Sequence, residues 1–130
     1  MKDYSDYLIC SDFDGTLSVG EINEKNIVAI KKFMECGGKF TLCTGRKCED
    51  IVRHSVLPFE LNAPMIGLTG AQIYDTRENR VVEANCLDNN WIELVNKLVK
   101  EIKYNQTFSI VGATDVTVFM LRIKRSKKEL

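Results

Sequence analysis

A short apolar run, Tyr7 to Ser11, opens into an acidic, glycine-containing loop, SDFDGTLSVG, and this junction constrains the chain more than any other feature. An apolar run of that length bounded by turn residues reads as a buried strand, so function is to be sought at its carboxyl end. Asn23 is placed to cap a helix whose apolar positions Ile27, Val28, Ile30, Phe33 and Met34 share one face, and Gly37 and Gly38 supply its stop. Lys39 to Cys43 reads as a second strand and Thr44-Gly45-Arg46 as the turn after it. Lys47 to Val56 then reads as a short helix ending before Pro58. Met65 to Leu68 is a third strand after Pro64. This alternation predicts an α/β fold with right-handed crossovers and a parallel sheet whose loops cluster at its carboxyl edge. Asp12, Asp14, Thr44 and Arg46 then meet at that edge.

From Ala71 the pattern changes. AQIYD and RVVEA flank the polar turn TRENR and read as a hairpin, and Asp88 is placed to cap a helix. That helix carries Trp91, Leu94, Val95, Leu98, Val99 and Ile102 as an apolar stripe, read as core. Thr107 to Val111 and Val116 to Ile123 read as two further strands, and the basic run Arg122 to Lys128 as a solvated terminus. Eighteen basic residues balance eighteen acidic ones in 130, so no net field draws the chain to nucleic acid or to an anionic membrane. No apolar stretch approaches the roughly 18 residues that span a bilayer, and the amino terminus lacks the apolar segment of a secretory signal, which predicts a cytoplasmic protein. The five cysteines, Cys10, Cys36, Cys43, Cys48 and Cys86, form no CxxC pair and are read as reduced, mostly core-packed thiols. His54, the sole histidine, is read as surface or packing.

Asp12 and Asp14 lie one residue apart directly after the first strand, followed by Gly15 and Thr16. Alternation along an extended chain aims both carboxylates to one side, where their charges repel and a hard cation such as Mg²⁺ relieves the conflict. One carboxylate is then free to attack phosphorus while the other manages the proton on the leaving oxygen. Gly15 frees the backbone to approach a ligand, Thr16 is read as a turn cap, and Thr44 as a helix cap or an anion contact.

The string DFDGTL, Asp12 to Leu17, resembles the first motif of the haloacid dehalogenase-like (HAD) phosphatases, and TGR, Thr44 to Arg46, resembles the second in both order and strand context. The run IGLTGAQIYD, Ile66 to Asp75, is similar to the segment by which Cof-type sugar phosphatases leave the third core strand for an inserted cap. The resemblance implies a HAD-like Rossmannoid parallel sheet, here the first half of the core in 1–78, and the beginning of an α+β cap in 79–130. It implies a Mg²⁺-dependent phosphomonoesterase acting on a small phosphorylated substrate, a sugar phosphate by subgroup, through an aspartyl-phosphate. Asp12 is then the nucleophile, Asp14 the general acid and base, and Thr44 with the Gly45 amide the phosphoryl holder. Arg46 joins them as a phosphate contact or lies solvated. Metal is implied at the Asp12 side chain and the Asp14 main-chain carbonyl.

The sequence departs from the family in three places. A later phosphate-steadying lysine and the acidic GDxxxD-type motif have no convincing match, and only charge recommends Lys100, Lys103 or Lys124. The family's NGA is TGA here, with Thr69 in place of asparagine. Family members run to roughly twice this length, so the resemblance, over about residues 5 to 110, reads as a truncated member. A second alignment sets SIVGATDVTVFML, Ser109 to Leu121, against the missing acidic motif, leaving Ala113 at its first aspartate and Asp115 out of step; the β-rich alternation favours a cap strand instead. The alternative to an enzyme is a truncated, weak or inactive fragment that binds phosphate or metal, or interacts through its sheet edge. Without a neighbour the first strand becomes an exposed apolar edge, which predicts self-association. A receiver-type phosphoacceptor shares the strand-end aspartate but leaves TGR unexplained.

Overall fold

The computed structural model describes residues 2–54, 57–88, 90–101, 107–111 and 118–122. Expectations at Val56, Ile102, Lys103, Ala113, Asp115, Val116, Ile123 and Lys124 lie outside these residues. Two compact units divide the chain, Met1–Asn85 and Cys86–Leu130.

In the first unit, β1 (Leu8–Ser11) lies parallel to β4 (Lys39–Leu42), with Leu8 opposite Lys39 and Ser11 opposite Leu42. Between them run a small hairpin, β2 (Ser18–Val19) with β3 (Glu21–Ile22), and α1 (Glu24–Glu35). The Asn23 side chain caps α1 by accepting from the Lys25 N–H at 2.9 Å, as its sequence position predicts. Ile30 is buried, but Val28 is exposed, so the helix buries a narrower stripe than its apolar positions suggest.

The far edge of β4 is satisfied by side chains. Asn62 accepts from the Phe40 N–H at 2.7 Å and donates to the Gly38 carbonyl at 2.9 Å, standing in for a neighbouring strand. Thr41 donates its hydroxyl to the Pro64 carbonyl at 2.7 Å, so a buried polar side chain keeps its partner. Beyond it an isolated parallel bridge joins Cys43 to Ile66 at β5 (Met65–Gly67). The third strand thus aligns parallel to β4 by one bridge, while its full ladder runs antiparallel to β6 (Gln72–Asp75), which pairs with β7 (Arg80–Ala84) in the expected hairpin.

The core gathers Phe13, Leu17, Ile30, Phe40, Leu42, Ile51, Leu61, Met65 and Tyr74, together with Cys48 at the start of α2 (Cys48–Arg53). Of the five cysteines only Cys48 is buried. Cys10 and Cys86 are exposed and Cys36 and Cys43 half-buried, which corrects the expectation of core-packed thiols. β1 departs from the buried strand that its apolar run suggests and has the exposed apolar edge expected where its neighbour is missing. Leu8 and Ile9 are 56% and 44% exposed because, among the described strands, β4 is the only neighbour of β1.

In the second unit, Asp88 accepts from the Asn90 N–H at 2.9 Å ahead of α3 (Trp91–Glu101). Leu94 and Leu98 on that helix are exposed, so its stripe is not the packed core that periodicity suggests. β8 (Thr107–Val111) and β9 (Val118–Arg122) pair antiparallel, Thr107 opposite Arg122. No helix among the described residues is long and apolar enough to cross a membrane.

Candidate active site

Two buried anchors, Phe13 and Leu17, hold the loop after β1, and the residues between and before them, Asp12, Asp14, Gly15 and Thr16, are exposed. The alternation expected of a strand therefore continues past its end, placing an apolar side chain in the core and a carboxylate on either side of it in solvent. Backbone bonds close the loop: Ser18 N–H to the Phe13 carbonyl and Gly15 N–H to the Ser18 carbonyl, each at 2.8 Å. Gly15 has a φ of +76°, a conformation that glycine adopts without steric cost.

The Thr16 hydroxyl donates to Asp12 Oδ2 at 2.8 Å. The Thr16 side chain thus reaches back across the turn and orients the Asp12 carboxylate. Asp14 is gripped by Arg46, whose Nε donates to Oδ2 at 2.8 Å and Nη2 to Oδ1 at 2.5 Å. This fork-on-fork pairing fixes both charge and plane. The bond to Asp14 raises the Arg46 pKa above its usual value. Its guanidinium also stands 5.4 Å from the centre of the Phe13 ring.

The register that sets Ser11 beside Leu42 brings the two strand ends together, and Cys43 N–H continues the ladder to the Ser11 carbonyl at 2.8 Å. Thr44 is buried, and its Oγ1 accepts from the Arg46 N–H at 3.1 Å. It does not cap α2, whose N-cap is Lys47, three residues on. Gly45 is exposed, and among the described residues its amide has no protein partner. The turn is clasped from β5. Thr69 N–H donates to the Thr44 carbonyl at 3.2 Å and Leu68 N–H to the Arg46 carbonyl at 3.0 Å. Both donors lie in left-handed backbone, Leu68 at φ 50° and Thr69 at φ 57°. Thr69 Oγ1 lies 3.7 Å from the point where a side chain on Gly45 would begin, so the residue replacing the family's asparagine borders the same turn.

Gln72 had no role in the sequence reading. It is fully buried, accepts from the Cys48 N–H at 3.1 Å and donates to Glu49, tying α2 to the hairpin behind the turn. A glutamine in a hairpin strand carries no signal of such a role. His54 is exposed at the end of α2, as expected.

For a divalent cation the loop offers Asp12 Oδ1, which accepts no hydrogen bond among the described residues, and the Asp14 carbonyl, while Asp12 Oδ2 and the Asp14 carboxylate accept from Thr16 and Arg46. Two protein oxygens fit Mg²⁺, which keeps several waters and takes further ligands from phosphate. No group of three His, Cys, Asp or Glu side chains gathers to hold a metal among the described residues.

The family model described as haloacid dehalogenase-like hydrolase matches residues 9–130. The 5-amino-6-(5-phospho-D-ribitylamino)uracil phosphatase YwtE of Bacillus subtilis is 39% identical over 70 residues, 52% of this chain and 23% of that protein. A HAD/COF-like hydrolase from Plasmodium vivax superposes at a TM-score of 0.57 with 27% identity, over 86% of this chain and 42% of its own. A HAD subclass IIB sugar phosphatase shares the fold at a TM-score of 0.61 and 16% identity, over 86% and 43%. The chain therefore spans less than half the length of these relatives. With the DFDGTL and TGR loops adjoining at the ends of two paired parallel strands, and the family match running over nearly the whole sequence, this chain belongs to the haloacid dehalogenase-like hydrolases.

Proposed function

We propose that this chain carries the nucleophile half of a Mg²⁺-dependent phosphomonoesterase acting in the cytoplasm on small phosphorylated metabolites, sugar phosphates foremost. The observation that carries the reading is the meeting of the Asp12 loop with the Thr44-Gly45-Arg46 turn across the Ser11 and Leu42 register. Asp12 Oδ1 attacks phosphorus and the bond to the leaving oxygen breaks. Asp14 gives that oxygen a proton, then takes one from the water that hydrolyses the aspartyl-phosphate. The Gly45 amide, the Thr44 hydroxyl and Arg46 hold the phosphoryl oxygens, whose charge is what catalysis must stabilise. The Asp12 carboxylate and the Asp14 carbonyl would hold Mg²⁺, which would supply charge neutralisation there. In this reading 79–130 opens a cap.

The exposed Leu8 and Ile9, and the lack among the described residues of a third acidic side chain gathered with Asp12 and Asp14, favour a second reading, a fragment that binds phosphate or metal weakly and interacts through its β1 edge. Hydrolysis of p-nitrophenyl phosphate by the purified chain separates the two. Turnover that requires both Mg²⁺ and Asp12, and is lost in Asp12→Asn, supports the enzyme. Activity that is absent or equal in Asp12→Asn supports the fragment.

A further inference from the structure

We propose that Arg46 is a latch: in the empty site it holds Asp14 by both carboxylate oxygens, and an arriving phosphate draws its guanidinium away and releases Asp14. The inference rests on the phosphatase reading and adds to it a coupling between phosphate arrival and release of the proton-transfer group.

Three observations carry it. Both Asp14 oxygens accept from Arg46, at 2.8 and 2.5 Å, so while the fork is closed one lone pair of each is committed and the carboxylate plane is fixed on the guanidinium rather than turned to a leaving group. The pair is 49% and 52% exposed, open to a competing anion rather than sealed in the core. An ion pair in that setting contributes little, so a doubly charged ligand can displace a singly charged carboxylate. Arg46 is also anchored for a swing rather than a drift. Its N–H is bonded to Thr44 Oγ1 and its carbonyl accepts from Leu68, so the backbone is fixed beside the Gly45 amide while the side chain alone is free to exchange partners. Of the five guanidinium donors two serve Asp14, and the remaining three have no partner among the described residues. A phosphoryl oxygen can be captured by those donors before the fork opens.

The test is a titration of the ¹⁵N-labelled full chain with inorganic phosphate, following the Arg46 Nε–H signal, assigned by its loss in Arg46→Gln. The latch requires that signal to shift saturably with phosphate. It also requires Asp14→Asn to tighten phosphate binding about two- to five-fold, the factor an exposed ion pair sets. That gain should vanish in the Arg46→Gln background, whereas any gain from Asp12→Asn, whose carboxylate faces the phosphate directly in the phosphatase reading, should survive there. Equal gains from both aspartates that survive in Arg46→Gln would mean general repulsion and overturn the latch. Phosphate binding with an unmoved Nε–H signal overturns the latch and leaves the phosphate cradle standing. Failure of every form to bind phosphate removes the cradle and the latch together. The amide signals of Phe13 and Leu17, the loop's buried anchors, report whether each variant keeps its fold, and the wild-type Nε–H readout decides alone where one does not.

Discussion

Thr69 holds left-handed backbone, φ 57° and ψ 36°, while its N–H clasps the Thr44 carbonyl at 3.2 Å. A β-branched residue in that region is a genuine outlier, and such strain persists where surrounding contacts over-determine it. The left-handed conformation costs about 1–2 kcal/mol, and the extra chain entropy of glycine offsets about 0.5–1 of any relief. Thr69→Gly should therefore raise Tm by about 2–4 °C. Thr69→Asn should move it in the same direction, since asparagine tolerates the conformation. Thermal unfolding followed by circular dichroism checks this, and a fall in Tm for both variants would show that the Thr69 side chain stabilises more than its backbone strains.

Thr16 donates to Asp12 Oδ2, which turns the other oxygen toward its proposed target. Thr16→Val keeps the shape and removes the donor. Loss of orientation at the proposed nucleophile should lower p-nitrophenyl phosphate turnover by roughly ten- to a hundred-fold with little change in Tm. Thr16→Ser should restore most of the rate.

The parts of this site legible in the sequence are those whose signals are local. An apolar run ending in DFDGTL, and TGR closing the next strand, place themselves through alternation and turn chemistry. Other parts depend on partners distant in sequence. Asp14 and Arg46 are 32 positions apart, and a count of charges does not say which carboxylate an arginine will choose. The left-handed pair Leu68 and Thr69 carries no asparagine or glycine to mark it, because its conformation is imposed by bonds to the 44–46 turn. Burial is decided by neighbours: Val28 shares the apolar face of α1 yet is exposed, and Leu8 and Ile9 lie in an apolar run yet are about half exposed, as a strand lacking a second partner would be. Gln72 was invisible for the opposite reason, a polar side chain buried because Cys48 N–H and Glu49 satisfy it.

The exposed edge of β1 should associate. Among the described residues Leu8 and Ile9 lie in a strand paired on one side only, and an unpaired apolar edge is a template for another chain. Sedimentation across a concentration series should show self-association that Ile9→Lys suppresses while leaving the circular dichroism spectrum intact. A chain monomeric at all concentrations would refute it.

Gly67 is placed where no side chain fits. A Cβ there would lie 2.5 Å from Cys48 Sγ and 3.1 Å from the Arg46 carbonyl, which itself accepts from Leu68. Gly67→Ala should destabilise by about 1–3 kcal/mol, the usual range for overpacking, read as a lower urea midpoint. Because the closest clash is with sulfur, Cys48→Ala should recover part of that loss in the double variant. Full additivity would place the strain on the backbone instead.

Cys48 links the same contact to pH. Burial, with Glu49 and Cys43 adding to it, pushes its thiol up to about 12 from an ordinary value of 9.0. The unfolded chain therefore ionises this thiol first, so its contribution to stability is complete below about pH 9 and is lost as pH rises toward 12. Across that window the slope from this one group approaches about 1.4 kcal/mol per pH unit. Tyr74, raised mainly by its own burial, adds a loss of the same sign that begins above about pH 10, within the same window. Urea midpoints measured from pH 8 upward, on the wild type and on Cys48→Ala, isolate the thiol. The wild type should lose stability more steeply than the variant. Parallel slopes would mean that water reaches the sulfur and that the contact with Gly67 is looser than its geometry requires.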